Sequence, residues 1–339
     1  MSKVRIEPPG LLTTVQDLGR FGYQRFGVPV AGVFDRFSAR VANWLVGNAA
    51  TAAVLEITLL GPTLRTTCLL QAAVCGGEAE CWLDGEPVEL WQSFLWRPGQ
   101  TLQIGSLRRG ARAYLAVSGG WQVAAVMGSR STYLRAGIGG YEGRQLKAGD
   151  EIAVESLRET PPERRLPRAF WPELPGKVRL RYVAGPETDH FSAEARLLFR
   201  QSEYLIAPAS DRMGVRLTGP AVKPLTPDII SNAIAYGSIQ VPRDGQPIIM
   251  GPDRQTTGGY PKIGTVVSAD LSRLAQAKPG DTVSWEEVSV ASAQQLAAAS
   301  EAYAEQVRRV IDGSLRGREY RVRLGDAEYY TFVEKADTL

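Results

Sequence analysis

The amino-acid sequence predicts a mainly β protein with a few helices, arranged as two tandem β-barrel domains that arose from an internal duplication. Three observations lead to this prediction. The chain has 339 residues, which is more than a single hydrophobic core usually supports. Short apolar runs alternate with glycine-containing turns, as is typical of barrels. Segments of the first half recur in the second half, in the same order.

The repeat consists of short matched segments, each of which alone could be chance. The matched pairs are Lys3-Val-Arg-Ile with Lys177-Val-Arg-Leu, Asp35-Arg-Phe-Ser-Ala with Asp189-His-Phe-Ser-Ala, Leu60-Gly-Pro with Thr218-Gly-Pro, Asp84-Gly-Glu-Pro-Val with Asp244-Gly-Gln-Pro-Ile, Arg130-Ser-Thr with Arg254-Gln-Thr, Gly139-Gly-Tyr with Gly258-Gly-Tyr, and Ala148-Gly-Asp with Pro279-Gly-Asp. Because all of them occur in one order, they indicate a duplicated domain.

A proline-rich segment separates the two copies. Five prolines fall within the sixteen residues 160–175, and proline removes backbone donors and favours an extended chain. We therefore predict a first barrel over residues 1–156, a linker over 157–176, a second barrel over 177–290, and a C-terminal helix and β-hairpin over 291–339.

Local patterns predict the elements of each copy. Asp84-Gly85 and Asp244-Gly245 each lie between apolar runs and predict tight hairpins, because Asp-Gly readily adopts the positive φ angles that such turns need. Apolar residues at helical spacing predict the helices. The predicted helices are 37–45, 192–199 and 292–311, and the last hairpin pairs 320–324 with 329–333 across Gly325-Asp326.

Charge and hydropathy exclude some classes of protein. The chain carries 39 Lys and Arg against 36 Asp and Glu, a net charge of +3, so it lacks the basic excess of a nucleic-acid binder. No window approaches the roughly 20 apolar residues of a membrane span, and the N-terminus has no apolar signal core. We expect a cytoplasmic protein that binds neither nucleic acid nor membranes.

The cysteines and the single histidine restrict the chemistry. Cys68, Cys75 and Cys81 do not have the spacing of a zinc site and are expected to fill the core. His190 is the only histidine and matches Arg36 of the first copy, so we expect it to be incidental. Metal sites that need several histidines are excluded, and no metal is expected. Catalysis would depend on carboxylates, Lys, Arg, amides, hydroxyls or backbone N–H groups.

The strongest candidate site is the glycine-flanked segment 251–264 of the second copy. Amide and hydroxyl side chains can hold an amide, a ureido group or a carboxylate, Lys262 can stabilise negative charge, and Asp253 can accept or relay a proton. The alternative is that these side chains fasten a long loop to its own backbone. The candidate substrate-binding residues of this segment are Gln255, Thr256, Thr257 and Tyr260.

A second candidate is a glycine-rich insertion between residues 10 and 35, for which the second copy has almost no counterpart. It carries Arg20 and Gln24 among glycines that permit close approach of a ligand, although a glycine-punctuated β-meander explains it equally well. Asn232 could present an amide to a ligand and Asp211 could contact substrate. Turn and cap roles are the alternative for both, and Asp211-Arg212 could be a surface ion pair.

Four long motifs then run through the chain: Pro9-Gly-Leu-Leu-Thr-Thr-Val-Gln-Asp-Leu-Gly-Arg-Phe-Gly-Tyr-Gln, Gly27-Val-Pro-Val-Ala-Gly, Gly128-Ser-Arg-Ser-Thr-Tyr-Leu-Arg-Ala-Gly and Asp253-Arg-Gln-Thr-Thr-Gly-Gly-Tyr-Pro-Lys-Ile. Together they resemble the signature of the KipI antagonist family, also called the C subunit of 5-oxoprolinase, allophanate hydrolase subunit 2 or biotin-dependent carboxyltransferase. The resemblance runs from about residue 4 to about residue 290. It implies two tandem cyclophilin-like β-barrel domains.

The resemblance also implies an activity and partners. It implies the C subunit of a 5-oxoprolinase, which acts with a KipI-like B subunit and an A subunit in the ATP-dependent opening of 5-oxo-L-proline to L-glutamate. ATP would be used by the complex, and the sequence does not indicate which of its chains binds it. The related carboxyltransferase domain of urea carboxylase handles carboxybiotin and urea, and its ligand-contacting positions correspond to Asn232, Asp253 and Lys262.

On this leading hypothesis each candidate has a role. The segment 255–257 would bind the lactam or its carboxylate, Lys262 with Arg20 would stabilise oxyanion or phosphoryl charge, and Asp253 would orient the nucleophile. One alternative is a regulatory antagonist that binds a KipI-like inhibitor of a histidine kinase. Another is a carboxyltransferase component for urea or allophanate. This chain has no Ala-Met-Lys-Met motif for covalent biotin, so the biotin would be carried by a separate protein.

Overall fold

The first half of the chain forms one curled, branched sheet of nine strands. The computed structural model describes residues 2–174, 176–313, 316–325 and 327–335. In this half the strands are β1 (Lys3–Ile6), β2 (Leu12–Gln16), β3 (Val54–Thr58), β4 (Thr63–Thr66), β5 (Leu70–Leu83), β6 (Glu86–Pro87), β7 (Ser93–Trp96), β8 (Thr101–Val117) and β9 (Glu151–Ala153). Their order is β2-β3-β8-β4-β1-β9, and β5 branches from β8 and carries β6 and β7.

The second half closes into a barrel. Its strands are β10 (Lys177–Ala184), β11 (Tyr204–Ile206), β12 (Gly214–Thr218), β13 (Asn232–Ala233), β14 (Ser238–Gln240), β15 (Ile248–Met250), β16 (Thr257–Gly258), β17 (Lys262–Val266) and β18 (Thr282–Glu287). Seven of them close in the order β10-β17-β14-β15-β12-β11-β18, while β13 and β16 form a separate two-stranded ribbon. A final hairpin pairs β19 (Gly317–Leu324) with β20 (Ala327–Glu334).

Four α-helices lie in the described part of the chain: α1 (Arg36–Leu45), α2 (Ala193–Gln201), α3 (Leu271–Gln276) and α4 (Val290–Ile311). Side-chain caps begin three of them, because an N-cap oxygen satisfies a free N–H of the first turn. Asp35 accepts from Ser38 N–H at 3.1 Å to cap α1, and Ser192 and Ser289 cap α2 and α4 in the same way. Short 3₁₀ turns occur at Gln24–Phe26, Leu134–Ala136, Arg168–Phe170, Thr188–His190 and Ser268–Asp270.

Three apolar clusters form the core. One fills the concave side of the first sheet and another fills the closed barrel, where alternate strand residues point inward. A third lies between the first sheet, α1 and α4. Cys68, Cys75 and Cys81 are buried free thiols, as expected of core residues, and burial raises the pKa of the Cys81 thiol to about 12. None of the helices within the described residues combines the length and hydropathy that a membrane crossing needs.

The predicted fold class is confirmed, with two differences between the copies. The first sheet curls as a half-barrel but does not close within the described residues, because β5, β6 and β7 branch away from β8 instead of joining β2 to β9. The copies also use their last strand differently. Strand β9 runs antiparallel to β1, whereas β18 runs parallel to β10.

The predicted elements agree with the structure except in a few places. Helices α1, α2 and α4 begin within two residues of their predicted starts, but the six-residue α3 was too short to show a helical period. Asp84 and Gly85 have φ angles of 51° and 87° in the predicted tight turn. The hairpin predicted around Asp244-Gly245 joins β14 to β15, but through a longer connection over residues 241–247. Within it Gly245, at a φ of 77°, donates its N–H to the Pro242 carbonyl at 3.0 Å. In the last hairpin, Asp326 lies outside the described residues.

The predicted linker is held against the first sheet. Leu157, Arg164 and Leu166 form backbone hydrogen bonds to residues of the first half at N···O distances of 2.8–2.9 Å. The Trp171 ring packs on Trp91 with 5.8 Å between the ring centroids. This segment is extended, as its prolines indicate, but over most of its described length it is bound to one domain.

Candidate functional site

A row of four side chains crosses the outer face of the closed barrel. Arg216 on β12 lies opposite Ile248 on β15, which lies opposite Gln240 on β14, which in turn lies opposite Lys262 on β17. Directly opposed residues of antiparallel strands point to the same side of a sheet, and the ends of this row are about 14 Å apart at strand spacing. The register of β14 with β17 shifts at a β-bulge between Ile239 and Gln240, so the last step of the row, to Lys262, is irregular. The adjacent strand residues fill the barrel core: Val215, Leu217, Ile239, Val241, Ile249 and Ile263.

A cavity of about 470 Å³ opens over the first three residues of this row, and Lys262 is not part of its lining. The barrel wall contributes Arg216 and Gln240 to its lining. The segment 251–261, which joins β15 to β17 and carries the strand β16, contributes Gln255 and Tyr260. The cavity therefore joins part of the predicted site to a strand face that was not part of the prediction.

Two buried amide atoms in this cavity have no hydrogen-bond partner among the described residues. They are Nε2 of Gln240, a residue that is 2% exposed, and Oε1 of Gln255. The two amides approach each other beside Gly258, where an added Cβ would lie 2.8 Å from Gln240 Nε2 and 3.5 Å from Gln255 Nε2. Both atoms are closed to solvent, so they lie behind the surface of the cavity, where buried polar groups are nearly always paired.

Lys262 lies next to Gln240 on the same face and is 3% exposed. Its ammonium group donates to Asn232 Oδ1 and lies 3.2 Å from Glu187 Oε2. Asn232 also donates to Glu187 Oε1 at 2.7 Å, and the pairing of β13 with β16 places Asn232 opposite Gly258. A buried ammonium needs such partners, because desolvation without them is costly.

Asp253 belongs to a different cluster, at the junction of the two halves. Arg212 binds its carboxylate through two hydrogen bonds of 2.9 Å and also donates to Glu56 and, at 2.6 Å, to the Gly32 carbonyl. Burial raises the pKa of Asp253, and the nearby Arg212 charge opposes this shift. Among the described residues no hydrogen bond or ion pair joins this cluster to Lys262.

Arg20 also lies at the junction and is fully buried. It donates from Nε to the Val126 carbonyl at 3.0 Å and from Nη2 to the Ser131 carbonyl at 2.9 Å, whereas its Nη1 atom is buried with no partner among the described residues. Burial lowers its pKa, against the attraction of Asp17 and Asp253. The glycine-rich insertion and the segment beginning at residue 251 meet at the junction, where Ala31 N–H donates to the Pro252 carbonyl at 3.1 Å.

The remaining predicted residues lie apart from the unpaired amides. Thr256 accepts from the Ile234 N–H through its backbone carbonyl, Thr257 is exposed on β16, and Gln24 is exposed in a 3₁₀ turn. Asp211 lines the cavity rim, where its carboxylate accepts from two N–H groups of its own turn at 2.8 and 3.0 Å.

The suggested surface pair Asp211-Arg212 is wrong. Arg212 is 5% exposed, and its guanidinium points to the buried carboxylates of Asp253 and Glu56. Sequence reasoning assigned no role to Glu56. A charged residue inside an apolar strand is a signal that could have identified it. Gln240 was missed because one amide in an alternating strand is unremarkable.

A second cavity of about 450 Å³ lies between the two halves and α4, lined in part by Phe34, Tyr236 and Tyr303. Within the described ranges, no group of three or more His, Cys, Asp or Glu side chains is placed to hold a metal ion. The cavity over the barrel face is the better candidate, because it combines unpaired buried amides with a neighbouring buried lysine.

Comparison with known proteins agrees with this architecture. The sequence matches the family described as carboxyltransferase domain, subdomain A and B, over residues 26–287. It is 38% identical over 300 residues to the C subunit of 5-oxoprolinase from Haemophilus influenzae, covering 88% of this chain and 96% of the relative. For the Escherichia coli protein of the same name, the identity is 37% over 306 residues, covering 90% and 97%.

A solved structure extends the comparison to three dimensions. The urea carboxylase of Kluyveromyces lactis superposes with a TM-score of 0.84 at 31% identity over 90% of this chain. The match covers 29% of the urea carboxylase chain. This chain is thus similar to about a third of that enzyme.

Proposed function

This chain belongs to the carboxyltransferase family of subdomains A and B, and from that membership we propose that it is the C subunit of an ATP-dependent 5-oxoprolinase, which opens 5-oxo-L-proline to L-glutamate together with the A and B subunits. The observation that carries the proposal is the extent of the match. The chain aligns with 96% and 97% of two relatives that bear the name of this subunit, but with 29% of the urea carboxylase chain. A chain that corresponds to one whole subunit is expected to act as that subunit.

The reaction explains why ATP is needed. A five-membered lactam resists hydrolysis because its nitrogen is a poor leaving group and its carbonyl is a poor electrophile. Transfer of the γ-phosphoryl group to the lactam oxygen releases ADP and activates the ring carbon. Water then adds to that carbon, and the ring C–N bond breaks as the nitrogen takes a proton, which leaves an acyl phosphate. A second water hydrolyses the acyl phosphate to the carboxylate and inorganic phosphate. The protein must hold the activated oxygen and exclude competing water.

The cavity on the second barrel has groups suited to this task. Lys262 is the one predicted catalytic residue whose strand partner, Gln240, lines the cavity, and its ammonium can stabilise charge on the lactam oxygen or the phosphoryl group. Asn232 and Glu187 hold it in place from the loop side. Gln255 contributes an amide to the binding surface. We assign Asp253 and Arg20 a structural role at the junction of the two halves.

Carboxyl transfer is the second candidate, because the fold match to urea carboxylase has a TM-score of 0.84. In that case the same cavity would receive the ureido ring of biotin, which also presents an N–H and a C=O group. The biotin would come from a separate carrier protein. The substrates proposed for the two functions therefore both present an N–H donor and a C=O acceptor. Only an assay of turnover distinguishes the two functions.

Reconstitution tests the proposal. The chain is purified with the A and B subunits, and glutamate release from 5-oxo-L-proline is measured with and without ATP. We expect ATP-dependent release that stops when this chain is omitted. Carboxylation of urea with bicarbonate, ATP, a biotin carboxylase and a biotinylated carrier, in the absence of glutamate release, would support the second candidate instead.

The variant Lys262→Met tests the assigned role within the same assay. Loss of one charge-stabilising group is expected to lower kcat by roughly 100- to 1000-fold. Lys177→Met is the matched control, since the Lys177 side chain is 79% exposed at the start of β10. An unchanged kcat in Lys262→Met, with the control also unchanged, would remove Lys262 from the mechanism.

A further inference from the structure

The connection from β12 to β14 contains a segment, residues 223–233, in which no residue is buried. We call this segment the strap. None of its residues belongs to the apolar clusters that form the core of the described chain, and Ile230 is 94% exposed. A segment without buried apolar contacts opens at a lower cost in free energy than the rest of the fold.

Buried residues bound the strap at both ends. Val222 is inaccessible to solvent, and its N–H donates to the Gly245 carbonyl at 2.9 Å. Ile234 is 1% exposed and donates to the Thr256 carbonyl at 2.9 Å, while its own carbonyl accepts from Arg254 at 3.1 Å. The two ends are therefore fixed, as the ends of hinged loops are, and the part between them is free to move.

Hydrogen bonds attach the strap to its neighbours. Leu225 N–H donates to the His190 carbonyl at 2.8 Å, and Ile229 N–H donates to the Gly259 carbonyl at 2.9 Å. The two residues of β13, at the end of the strap, pair with β16. Water replaces such bonds when a loop lifts, and a ribbon of this length has little stability of its own.

The strap nevertheless covers Lys262. The Lys262 ammonium donates to Asn232 Oδ1, which belongs to the strap, and lies 3.2 Å from Glu187 Oε2. With a side chain that is 4% exposed, Lys262 is closed to a substrate in this arrangement. If the ammonium is to contact a substrate, one of its two covering side chains must move away.

Glu187 is not the cover that moves, because its loop is bound to the strand that carries Lys262. Glu187 Oε2 accepts from the Lys262 N–H at 3.2 Å, and Gly185 N–H donates to the Ile263 carbonyl at 3.0 Å. The backbones are so close that a Cβ on Gly185 would lie 2.2 Å from the Lys262 carbonyl oxygen. Asn232 is exposed and lies on the strap, so it is the cover that can leave.

We propose that the strap is a gate over Lys262, which opens about its buried ends and closes again when Asn232 binds the ammonium. In the closed state Asn232 takes the N–H donor that a substrate oxygen would accept, and opening releases this donor. This inference deepens the proposed function. The movement itself does not depend on that function, whereas its consequence for turnover rests on it.

A reversible disulfide tests the gate by locking the strap in the closed position. A Cβ at Gly259 would lie 3.5 Å from Ser231 Oγ, so the variant Ser231→Cys with Gly259→Cys places two thiols within reach of each other. The natural cysteines Cys68, Cys75 and Cys81 are buried in the first half and do not compete.

The first measurement is acetylation of Lys262 by N-hydroxysuccinimidyl acetate, followed by peptide mass spectrometry. We expect slow acetylation in wild type, acetylation at least about 10-fold slower in the oxidised double variant, and the wild-type rate after reduction. Lys177, whose side chain is 79% exposed, is the internal control and should react equally in every form. The single variant Ser231→Cys, treated with the same oxidant, should react as wild type does.

The second measurement is glutamate release by the complex reconstituted with the double variant. Oxidation should slow release at least about 10-fold, because Lys262 stays covered, and reduction of the same sample should restore it. Recovery on reduction distinguishes a locked gate from a damaged fold.

The outcomes separate this inference from the proposed function. The gate is overturned if Lys262 in folded wild type is not acetylated, if the oxidised variant reacts as fast as wild type, or if the disulfide does not form. Slow acetylation with unchanged glutamate release overturns the link between the gate and turnover. Absence of ATP-dependent glutamate release from the wild-type complex overturns the proposed function, while acetylation still decides whether the strap opens.

Discussion

Arg212 binds two carboxylates that come from opposite halves of the chain. Glu56 lies 156 positions before it and Asp253 lies 41 positions after it, and both are nearly inaccessible to solvent. Glu56 also accepts from Phe34 N–H at 2.7 Å and from the Tyr114 hydroxyl at 2.9 Å. These donors and the single guanidinium together compensate the burial of two negative charges.

Removal of Arg212 should therefore be costly. We expect Arg212→Met to lower the free energy of unfolding by about 3–5 kcal/mol, since it leaves two buried carboxylates without a counter-ion. Urea denaturation measures the loss. Arg179→Met, at an exposed position of β10, should change the free energy by no more than about 0.5 kcal/mol.

A combined variant distinguishes lost charge balance from lost packing. In Arg212→Met with Glu56→Gln and Asp253→Asn, no buried charge is left unpaired, so we expect part of the lost stability to return. A combined variant less stable than Arg212→Met alone would show that the carboxylates stabilise the junction by themselves.

Some of these residues could be predicted from the sequence and others could not, for a physical reason. Gln255 and Lys262 were predicted because they belong to one glycine-flanked segment whose polar side chains are adjacent in the chain. The roles of Arg212 and Gln240 depend on pairing between strands that are distant in sequence. Arg20 was predicted as a ligand contact, and its burial against the Val126 and Ser131 carbonyls depends on tertiary contacts that no local pattern reports.

At the scale of elements, the turn before β9 depends on one ion pair. Arg144 donates to both carboxylate oxygens of Asp150, at 2.7 and 2.9 Å, and Lys147 N–H donates to the same group at 2.7 Å. The Arg144 hydrogen bonds are the main reason that the pKa of Asp150 lies below its ordinary value, against a smaller effect of burial. The turn is thus stabilised by the ionised carboxylate.

This shift predicts a pH dependence. Because the folded-state pKa is lower than the unfolded value of about 3.9, the contribution of Asp150 is fully present above that value and is lost as the pH falls through the folded pKa. The stability difference between wild type and Asp150→Asn should be constant above about pH 5 and should shrink below about pH 4. Denaturation at several pH values checks this, and Arg144→Met should abolish most of the acid-dependent part.

Helix α4 stabilises the first half from outside its sheet. Ala304, Val307 and Ile311 are buried in the cluster that also contains α1 and part of the first sheet. Their spacing of three and four residues gives one apolar stripe, which explains why the helix was predictable from the sequence. The shorter α3 offers too few turns for such a stripe.

Val307→Ala should lower the free energy of unfolding by about 2 kcal/mol, because it removes two buried methyl groups and leaves a cavity. Urea denaturation of the full chain provides the measurement. Val290→Ala, at the 59% exposed first residue of the same helix, is the control and should have little effect. Equal effects at the two positions would contradict the described packing of α4.

At the scale of the whole molecule, the two halves are joined by Gln276. Its Nε2 donates to Asp35 Oδ2 at 2.8 Å, and its Oε1 accepts from Ala111 N–H at 3.3 Å and from Arg112 N–H at 3.2 Å. One side chain at the end of α3 thus binds the cap of α1 and strand β8 of the first half. Such bonds couple the unfolding of one half to that of the other.

We expect wild type to unfold in a single calorimetric transition and Gln276→Met to lower the Tm and separate the transition into two components. The physical reason is that two buried N–H groups and one carboxylate oxygen lose their partner across the junction. Gln201→Met, at an exposed position of α2, should unfold as wild type does. Two transitions already in wild type would show that the halves are independent.

The duplication could be predicted from the sequence because turns, caps and apolar alternation recur in both copies. Whether the sheet of each copy closes into a barrel could not be predicted, because closure depends on where a long strand branches. Strand β5 spans Leu70–Leu83 and pairs with β6, β7 and β8, whereas no strand of similar length occurs among the described residues of the second copy. The same local signals therefore produced a curled sheet in one half and a closed barrel in the other.

The proline-rich linker is bound to the first sheet, and this attachment determines where the protein tolerates extra residues. Residues 158–160 are exposed and lie between the attachment points at Leu157 and Arg164, so an inserted stretch there would bulge into solvent and leave the spacing of the halves unchanged. Leu174, whose carbonyl accepts from Arg109 at 2.9 Å, is only three positions before the first residue of β10. Extra residues next to Leu174 would therefore disturb either this hydrogen bond or the start of β10, where Lys177 pairs with Thr282.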